Sequence, residues 1–321
     1  MFVIEEIFFS VVVPLFNKQS VVLDTINSVI NQNYQNFELI VVNDGSTDRS
    51  LDIVNQNFDG RVKVVDQSNA GVAAARNAGV KHAKGDWVAF LDADDLWASE
   101  HLSHLDELIK TVPDVVMVSS SSRKVPPKFQ LSQVKNTESD YRYTTSFFKR
   151  ESQVNFPVNS SSVAVKRKVL SKLGGFLPYS SGEDVEMWAR VALTGRVCIS
   201  NFCSVYYRQD LTSGLSGKAI IENRLGNQLG GMSSTPVLRM IKERIKSNAL
   251  TVDSDLKEYI CFRLEVGLKV RFAKGDIKGL RELLRCSDWK SYCSPSKYDF
   301  LRYLPDFAIR SLRVLYFSVR K

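Results

Sequence analysis

Histidine is scarce, with three residues in 321, and the five cysteines are odd in number and share no short repeating spacing. A zinc site built from His and Cys is therefore improbable, and a disulfide framework is not expected; the thiols suit a reducing cytoplasm. No apolar run approaches the roughly 20 residues that span a bilayer. Met1 to Ser10 holds two glutamates and no basic residue, so it lacks the charged start of a signal peptide. The chain contains neither G-x-G-x-x-G nor G-x-x-x-x-G-K-[ST], the glycine cradles of dinucleotide and P-loop phosphate sites. There are no internal repeats.

What is present is organised by charge and by rhythm. Residues 1–218 carry 23 basic and 24 acidic side chains, whereas residues 219–321 carry 20 and 11, so the net +8 resides in the last third. A basic excess of that size suits an anionic surface, an acidic partner or nucleic acid. Through the first 120 residues short apolar runs, Ser10–Val13, Phe37–Val42, Val62–Val65, Trp87–Leu91 and Val115–Val118, alternate with helical patterns near 21–31, 48–57, 71–84 and 99–111. The first strand is expected over Glu6–Val13, and Ser46 or Thr47, Asn69 and Ser99 are candidate N-caps. Strand and helix alternating at this interval predict an α/β fold with a doubly wound, mostly parallel sheet flanked by helices. Residues 119–160 lose the rhythm and read as a polar loop region over the sheet. A second structured block spans Ser161 to about Ser216, and a helical basic region follows from 219.

The chemistry gathers where apolar runs end, since open α/β sheets place ligands at the C-terminal ends of their strands. Pro14, with no N–H, ends the first ladder, and Phe16 and Asn17 then offer a ring and an amide that could hold a base or form a simple strand-to-helix turn. Asp44 follows the second run, where it could accept an imide N–H or merely shape the turn with Gly45. Arg76 lies on a small-residue segment, Asn69 to Gly79, either reaching a base or phosphate or simply solvated. Asp92-Ala93-Asp94-Asp95 puts three carboxylates within four positions, which calls for a divalent cation with oxygen ligands or marks an Asp-rich turn. Gly182-Glu183-Asp184 opens a helical pattern running to Leu193, and a carboxylate in that first turn stays ionised beside the helix dipole. It could act as a general base or be an ordinary acidic helix start.

Taken in order, Val11–Asn17, Val41–Asp48, Asn69–Gly71 with Arg76–Gly79, Phe90–Asp95 and Gly182–Asp184 resemble the family 2 glycosyltransferases of GT-A type fold, over about residues 8–215. The resemblance implies a catalytic domain over residues 1–218. It implies inverting transfer of a sugar from a nucleotide diphosphate sugar, UDP-linked by preference, to an acceptor hydroxyl, of hexosyl or N-acetylhexosaminyl class. It makes Asp184 the catalytic base, assisted by Glu183. Pro14, Phe16, Asn17, Asp44, Arg76 and Asp92 would contact the nucleotide, and Asp94 with Asp92 would hold Mn2+ or Mg2+. Trp188, one turn past Asp184, is expected in the core. Relatives carry a histidine in a loop after a Tyr/Arg element; here Tyr206 to Ser216 has none, leaving Arg208 to contact the diphosphate or Asp210 to approach the metal. The alternative is a silent nucleotide-sugar-binding or scaffold member, and a nucleic-acid role rests on the basic tail alone.

The tail, Phe300 to Lys321, plots as a basic amphipathic helix. Asp306, Arg310, Arg313, Arg320 and Lys321 share one side with Phe317, and Phe307, Ile309, Leu312, Leu315, Tyr316 and Val319 take the other. Such a helix either lies on an anionic membrane or docks on its own core. A cytoplasmic location is expected, peripheral on the inner membrane face if the tail lies on lipid rather than on its own core, and the resemblance implies an enzyme building surface polysaccharide on a glycan or lipid-linked acceptor.

Overall fold

The structure, a computed structural model, describes residues 6–321 apart from 59, 61, 134–139, 154–157, 180–181, 209–233, 286–292, 294–298 and 319–321. The chain forms two compact units: Met1–Phe147, Asn155–Pro178 and Met187–Leu211 make the first, and Phe148–Val154, Tyr179–Glu186 and Thr212–Lys321 the second.

The first unit begins β1 (Phe9–Leu15), α1 (Val22–Ile30), β2 (Phe37–Asp44), α2 (Ser50–Asn57), β3 (Lys63–Gln67), α3 (Val72–His82), β4 (Trp87–Phe90). β1 and β4 are buried at every residue, which is why they read as continuous apolar runs rather than alternating ones. In β1, Val11, Val13 and Leu15 face the cluster that holds Val22 and Ile26 of α1 and Val54 of α2. Val12 points to the other face, where Gly79 of α3 lies so close that a Cβ would come within 2.2 Å of Val12 Cγ1. Helices therefore cover both faces, as the crossover rhythm implies.

The rest of this sheet is less regular: β5 (Leu96–Trp97), α4 (His101–Thr111), β6 (Val115–Val125), β7 (Tyr143–Thr144), β8 (Val163–Lys166), α6 (Arg167–Lys172) and β9 (Arg196–Arg208), with α5 (Phe147–Gln153) and α7 (Glu183–Ala192) crossing the division between units. The order is β3-β2-β1-β4-β8-β6-β9-β5, with β7 on β9. Pairing is parallel from β3 to β4 and between β6 and β9, and antiparallel around β8, β5 and β7. The sheet is thus parallel through its N-terminal half and mixed beyond it.

Several local expectations change. β1 starts at Phe9 and runs to Leu15. The polar run after Val118 is strand, with Ser119 and Ser120 buried and Ser119 Oγ 3.0 Å from Ser162 Oγ. The N-cap positions of α2, α3 and α4 are Arg49, Gly71 and Glu100, so none of the expected caps sits there.

The second unit contains α8 (Ser234–Lys246), α9 (Ser254–Lys274), α10 (Ile277–Arg285) and α11 (Asp306–Ser318). Asp253 caps α9 by accepting from Leu256 N–H at 2.8 Å, and Gly275 ends it in the left-handed conformation. Buried Arg263 on α9 pairs with buried Glu151 at 3.4 Å. The tail helix α11 docks on this unit's own core, with Ile309 buried among Leu268, Phe272, Leu280 and Leu301 and Leu312 packed against them. That splits the face expected to be continuous, because Phe307 points outward. Cys261 and Cys293 form a disulfide, a single bridge where none was expected. Among the described residues no helix is long and apolar enough to cross a membrane.

Candidate active site

The C-terminal ends of β2, β1 and β4 lie side by side because these are adjacent parallel strands. Pro14 does not end the ladder: it sits opposite Val42, and Leu15 still pairs with Asn43. The reason is parity. Val12 turns its carbonyl to the β4 side, where it accepts from Leu91 N–H; Pro14 faces the same way, and β4 has ended, so no donor is missed. Pro14 is buried, while Phe16 is 43% exposed. Asn17 adopts φ 51°. Its Oδ1 accepts from Thr47 N–H at 2.8 Å and its Nδ2 donates to Thr47 Oγ1 at 3.2 Å, so the amide ties the loop after β1 to the loop after β2.

Asp44, buried at the end of β2, organises the next loop. Its Oδ1 accepts from Gln67 Nε2 at 2.7 Å and Ala70 N–H at 2.9 Å, and its Oδ2 from Gly71 N–H at 2.9 Å. Gly45 makes this approach possible, since it has φ +70° and a Cβ there would meet Asn69 N at 2.7 Å. From α3, buried Arg76 donates Nη2 to Asp92 Oδ1 at 2.8 Å, with its guanidinium 5.5 Å from the Phe176 ring centre. Trp188, expected in the core, is buried against Phe90 and Phe176.

The turn after β4 is held from inside. Asp95 N–H donates to Asp92 carbonyl O at 3.0 Å. The buried Asp95 carboxyl accepts from Ser161 Oγ at 2.5 Å and from Arg208 N–H at 3.1 Å. Ser161 Oγ in turn accepts from Asp92 N–H at 3.1 Å. Burial first, then neighbouring Asp92 and Asp94, push the Asp95 carboxyl well above the ordinary range. Asp94 faces outward and pairs with Lys18 Nζ at 2.5 Å, the two side chains 34% and 39% exposed. Arg208, at the end of β9, spends Nη2 on Asp24 Oδ2 at 2.8 Å and Phe129 carbonyl O at 2.7 Å, and lines a cavity of about 230 Å³ with Asn27, Asn31 and Trp97. Of the segment where a histidine was sought, residues 209–216, with Asp210, lie outside the described residues.

Glu183 and Asp184 open α7, as the pattern at Gly182 suggests, and with Glu186 make its first turn acidic. Glu183 is buried and Asp184 half-buried, its Oδ1 accepting from Val185 N–H at 2.7 Å. Sequence reading missed Lys18 and Ser161. Lys18 follows Asn17 directly, but nothing local says that its ammonium meets a carboxylate 76 residues on.

Among the described residues no group of three or more His, Cys, Asp or Glu side chains is arranged to hold a metal ion. The turn offers two partly exposed carboxylates, each already paired with a cation: Asp92 with Arg76 and Asp94 with Lys18. Two partly exposed hard oxygen donors fit Mg2+ or Mn2+ that completes its shell with water and ligand phosphates.

The family model for glycosyl transferase family 2 matches residues 10–174, just over half the chain. A UDP-Glc:alpha-D-GlcNAc-diphosphoundecaprenol beta-1,3-glucosyltransferase of Escherichia coli is 28% identical over 62% of this chain and 76% of its own length. A teichuronic acid biosynthesis glycosyltransferase, so described putatively, of Bacillus subtilis is 42% identical, but over 29% of this chain and 38% of its own. Among solved structures, S. aureus TarS 1-349 in complex with UDP-GlcNAc superposes with TM-score 0.53 at 18% identity, covering 88% of this chain and 91% of that one. A mannosyltransferase from Pyrobaculum calidifontis, in complex with GDP-Man and Mn2+, gives 0.55 at 19%, covering 96% and 79%. These two show the shared fold. With the motif-bearing strand ends of the first unit inside the matched region, the chain belongs to glycosyl transferase family 2.

Proposed function

We propose that this protein transfers a hexosyl or N-acetylhexosaminyl group from a UDP-sugar to an acceptor hydroxyl, with inversion, in the assembly of a surface polysaccharide. The observation that carries the reading is the Arg76–Asp92 pair, which sets a buried cation against the D-x-D turn on the same sheet edge as Asp44. Asp44 retains acceptor capacity on Oδ2 for the imide N–H of uracil, since that oxygen holds one hydrogen bond and Oδ1 two. Phe16 is exposed enough to stack on the base. Arg76, positioned by Asp92, meets the diphosphate, with Arg208 a further contact once its bond to Asp24 opens. Asp94 and Asp92 would hold a divalent metal, which supplies positive charge against the growing charge of the diphosphate leaving group.

Asp184 accepts the proton from the acceptor O–H as that oxygen attacks the anomeric carbon, on the face opposite the departing diphosphate. Its place in the first turn of α7 supports this, because the helix dipole favours the ionised carboxylate. Glu183 orients the acceptor. The acceptor is a lipid-linked glycan at the inner face of the membrane, a reading supported by the diphosphoundecaprenol acceptor in the name of the Escherichia coli relative.

Wild type is expected to bind and slowly hydrolyse a UDP-sugar with Mn2+, whereas Asp94→Ala loses metal-dependent binding. Asp184→Asn keeps donor binding and loses transfer by about a hundredfold or more. A wild-type protein that neither binds nor turns over any nucleotide sugar overturns the proposal.

A further inference from the structure

The tail helix uses one face twice over less than expected: Ile309 and Leu312 point into the second unit's own core, yet the opposite face is not polar. Phe307 is 73% exposed and Val314 64%, with Tyr303 at 81% and Phe300 at 52% on the preceding turn Asp299–Tyr303. These are four of the five most exposed large hydrophobic side chains described. Phe307, Arg310 and Val314 recur at spacings of three and four, so they form one outward stripe.

Its surroundings are cationic. Arg310 on the stripe is exposed, as are Lys274 at the end of α9 and Lys278 at the start of α10. Both elements meet α11: Arg313 Nε donates to Ala273 carbonyl O at 2.8 Å, and Arg281 on α10 holds Asp306 at 2.6 Å. Two acids at this face are held in ion pairs, Asp306 with Arg281 and Asp276 with Arg271 at 2.7 Å. The stripe thus carries one exposed cation, Arg310, and the elements that contact its helix add Lys274 and Lys278, in a region carrying 20 basic against 11 acidic residues.

We propose that this stripe is a membrane-docking surface, with Phe300, Tyr303, Phe307 and Val314 entering the headgroup layer and Arg310, Lys274 and Lys278 meeting anionic lipid. Aromatic rings suit the boundary between headgroups and acyl chains, and nearby cations add attraction that salt screens. The occupant is an anionic lipid surface because Arg310, Lys274 and Lys278 are exposed while Asp306 and Asp276 are held in ion pairs. The proposal accords with a membrane-borne acceptor but does not depend on the transferase reading, since vesicle partition is read without donor or acceptor.

The test is sedimentation of the full chain with vesicles of phosphatidylcholine alone or mixed with phosphatidylglycerol. Wild type should partition onto the mixed vesicles and release on adding salt. Arg310→Glu should lower partition about twenty-fivefold, a charge reversal counting as two cations at about fivefold each. Phe307→Ser with Val314→Ser should lower it at least as far, with far-UV circular dichroism and nucleotide-sugar hydrolysis unchanged. Equal binding to neutral vesicles, or variants that partition like wild type, overturns the proposal. So does concentration-dependent self-association abolished by Phe307→Ser without lipid binding, which would make the stripe an interface between copies of the chain.

Discussion

Replacing Lys18 by methionine tests what the Asp94 carboxylate is for. In the structure the ammonium lies 2.5 Å from Asp94 Oδ2, and both side chains are more than a third exposed. Solvent screens a pair this exposed, so its net worth is about 0–1 kcal/mol. A divalent cation arriving at Asp94 must displace the ammonium, and the variant spares it that cost. Apparent Mn2+ affinity in the presence of UDP should therefore rise, by at most about fivefold for 1 kcal/mol. The gain should shrink as ionic strength increases. The measurement is a titration followed by the electron paramagnetic resonance signal of free Mn2+, with UDP binding in EDTA as the companion experiment. A fall in Mn2+ affinity, together with weaker UDP binding in EDTA, would refute the displacement argument and make Lys18 a diphosphate ligand instead.

Two further predictions concern the scaffold. His101 is fully buried, its Nδ1 2.8 Å from Ser204 Oγ and its ring stacked 4.2 Å from Trp97, and burial holds its pKa well below the usual value. The unfolded chain therefore binds the proton more readily, so stability is present above about pH 6.5 and is lost below it, by up to about 1.4 kcal/mol per pH unit. Urea unfolding at pH 7.5 and 5.5 should show this loss in wild type and a smaller one in His101→Gln; equal losses would exclude His101 as the cause. Gly79→Ala drives a methyl into Val12 and should cost about 1–3 kcal/mol, with much of it recovered in the double variant Gly79→Ala, Val12→Ala when midpoints of denaturation are compared.

The parallel half of the sheet was legible because each buried strand is a continuous apolar run and each crossover helix has its own period. The mixed half was not. β6 carries Ser119 to Ser122 in its middle, a polar stretch without strand periodicity, and its burial comes from partners such as Ser162 that lie 43 residues away. The insertion of β8 between β4 and β6 is likewise a long-range choice that no local signal announces. In the site, Asp44 and Asp92 were readable as types at strand ends, and Arg76 on the small-residue helix between them. That Arg208 turns to Asp24, 184 residues distant, was not.

The buried Asp95 carboxyl also sets a clock on synthesis. It holds the turn that carries Asp92 and Asp94, and one of its two partners is the backbone of Arg208, 113 residues later in the chain. While β1 to β4 can pair as soon as they leave the ribosome, the turn cannot be fastened until the end of β9 has emerged. At about 5–20 residues per second, that leaves roughly 6–23 s in which the nascent chain holds its leading strands but not the carboxylate geometry they are built to present.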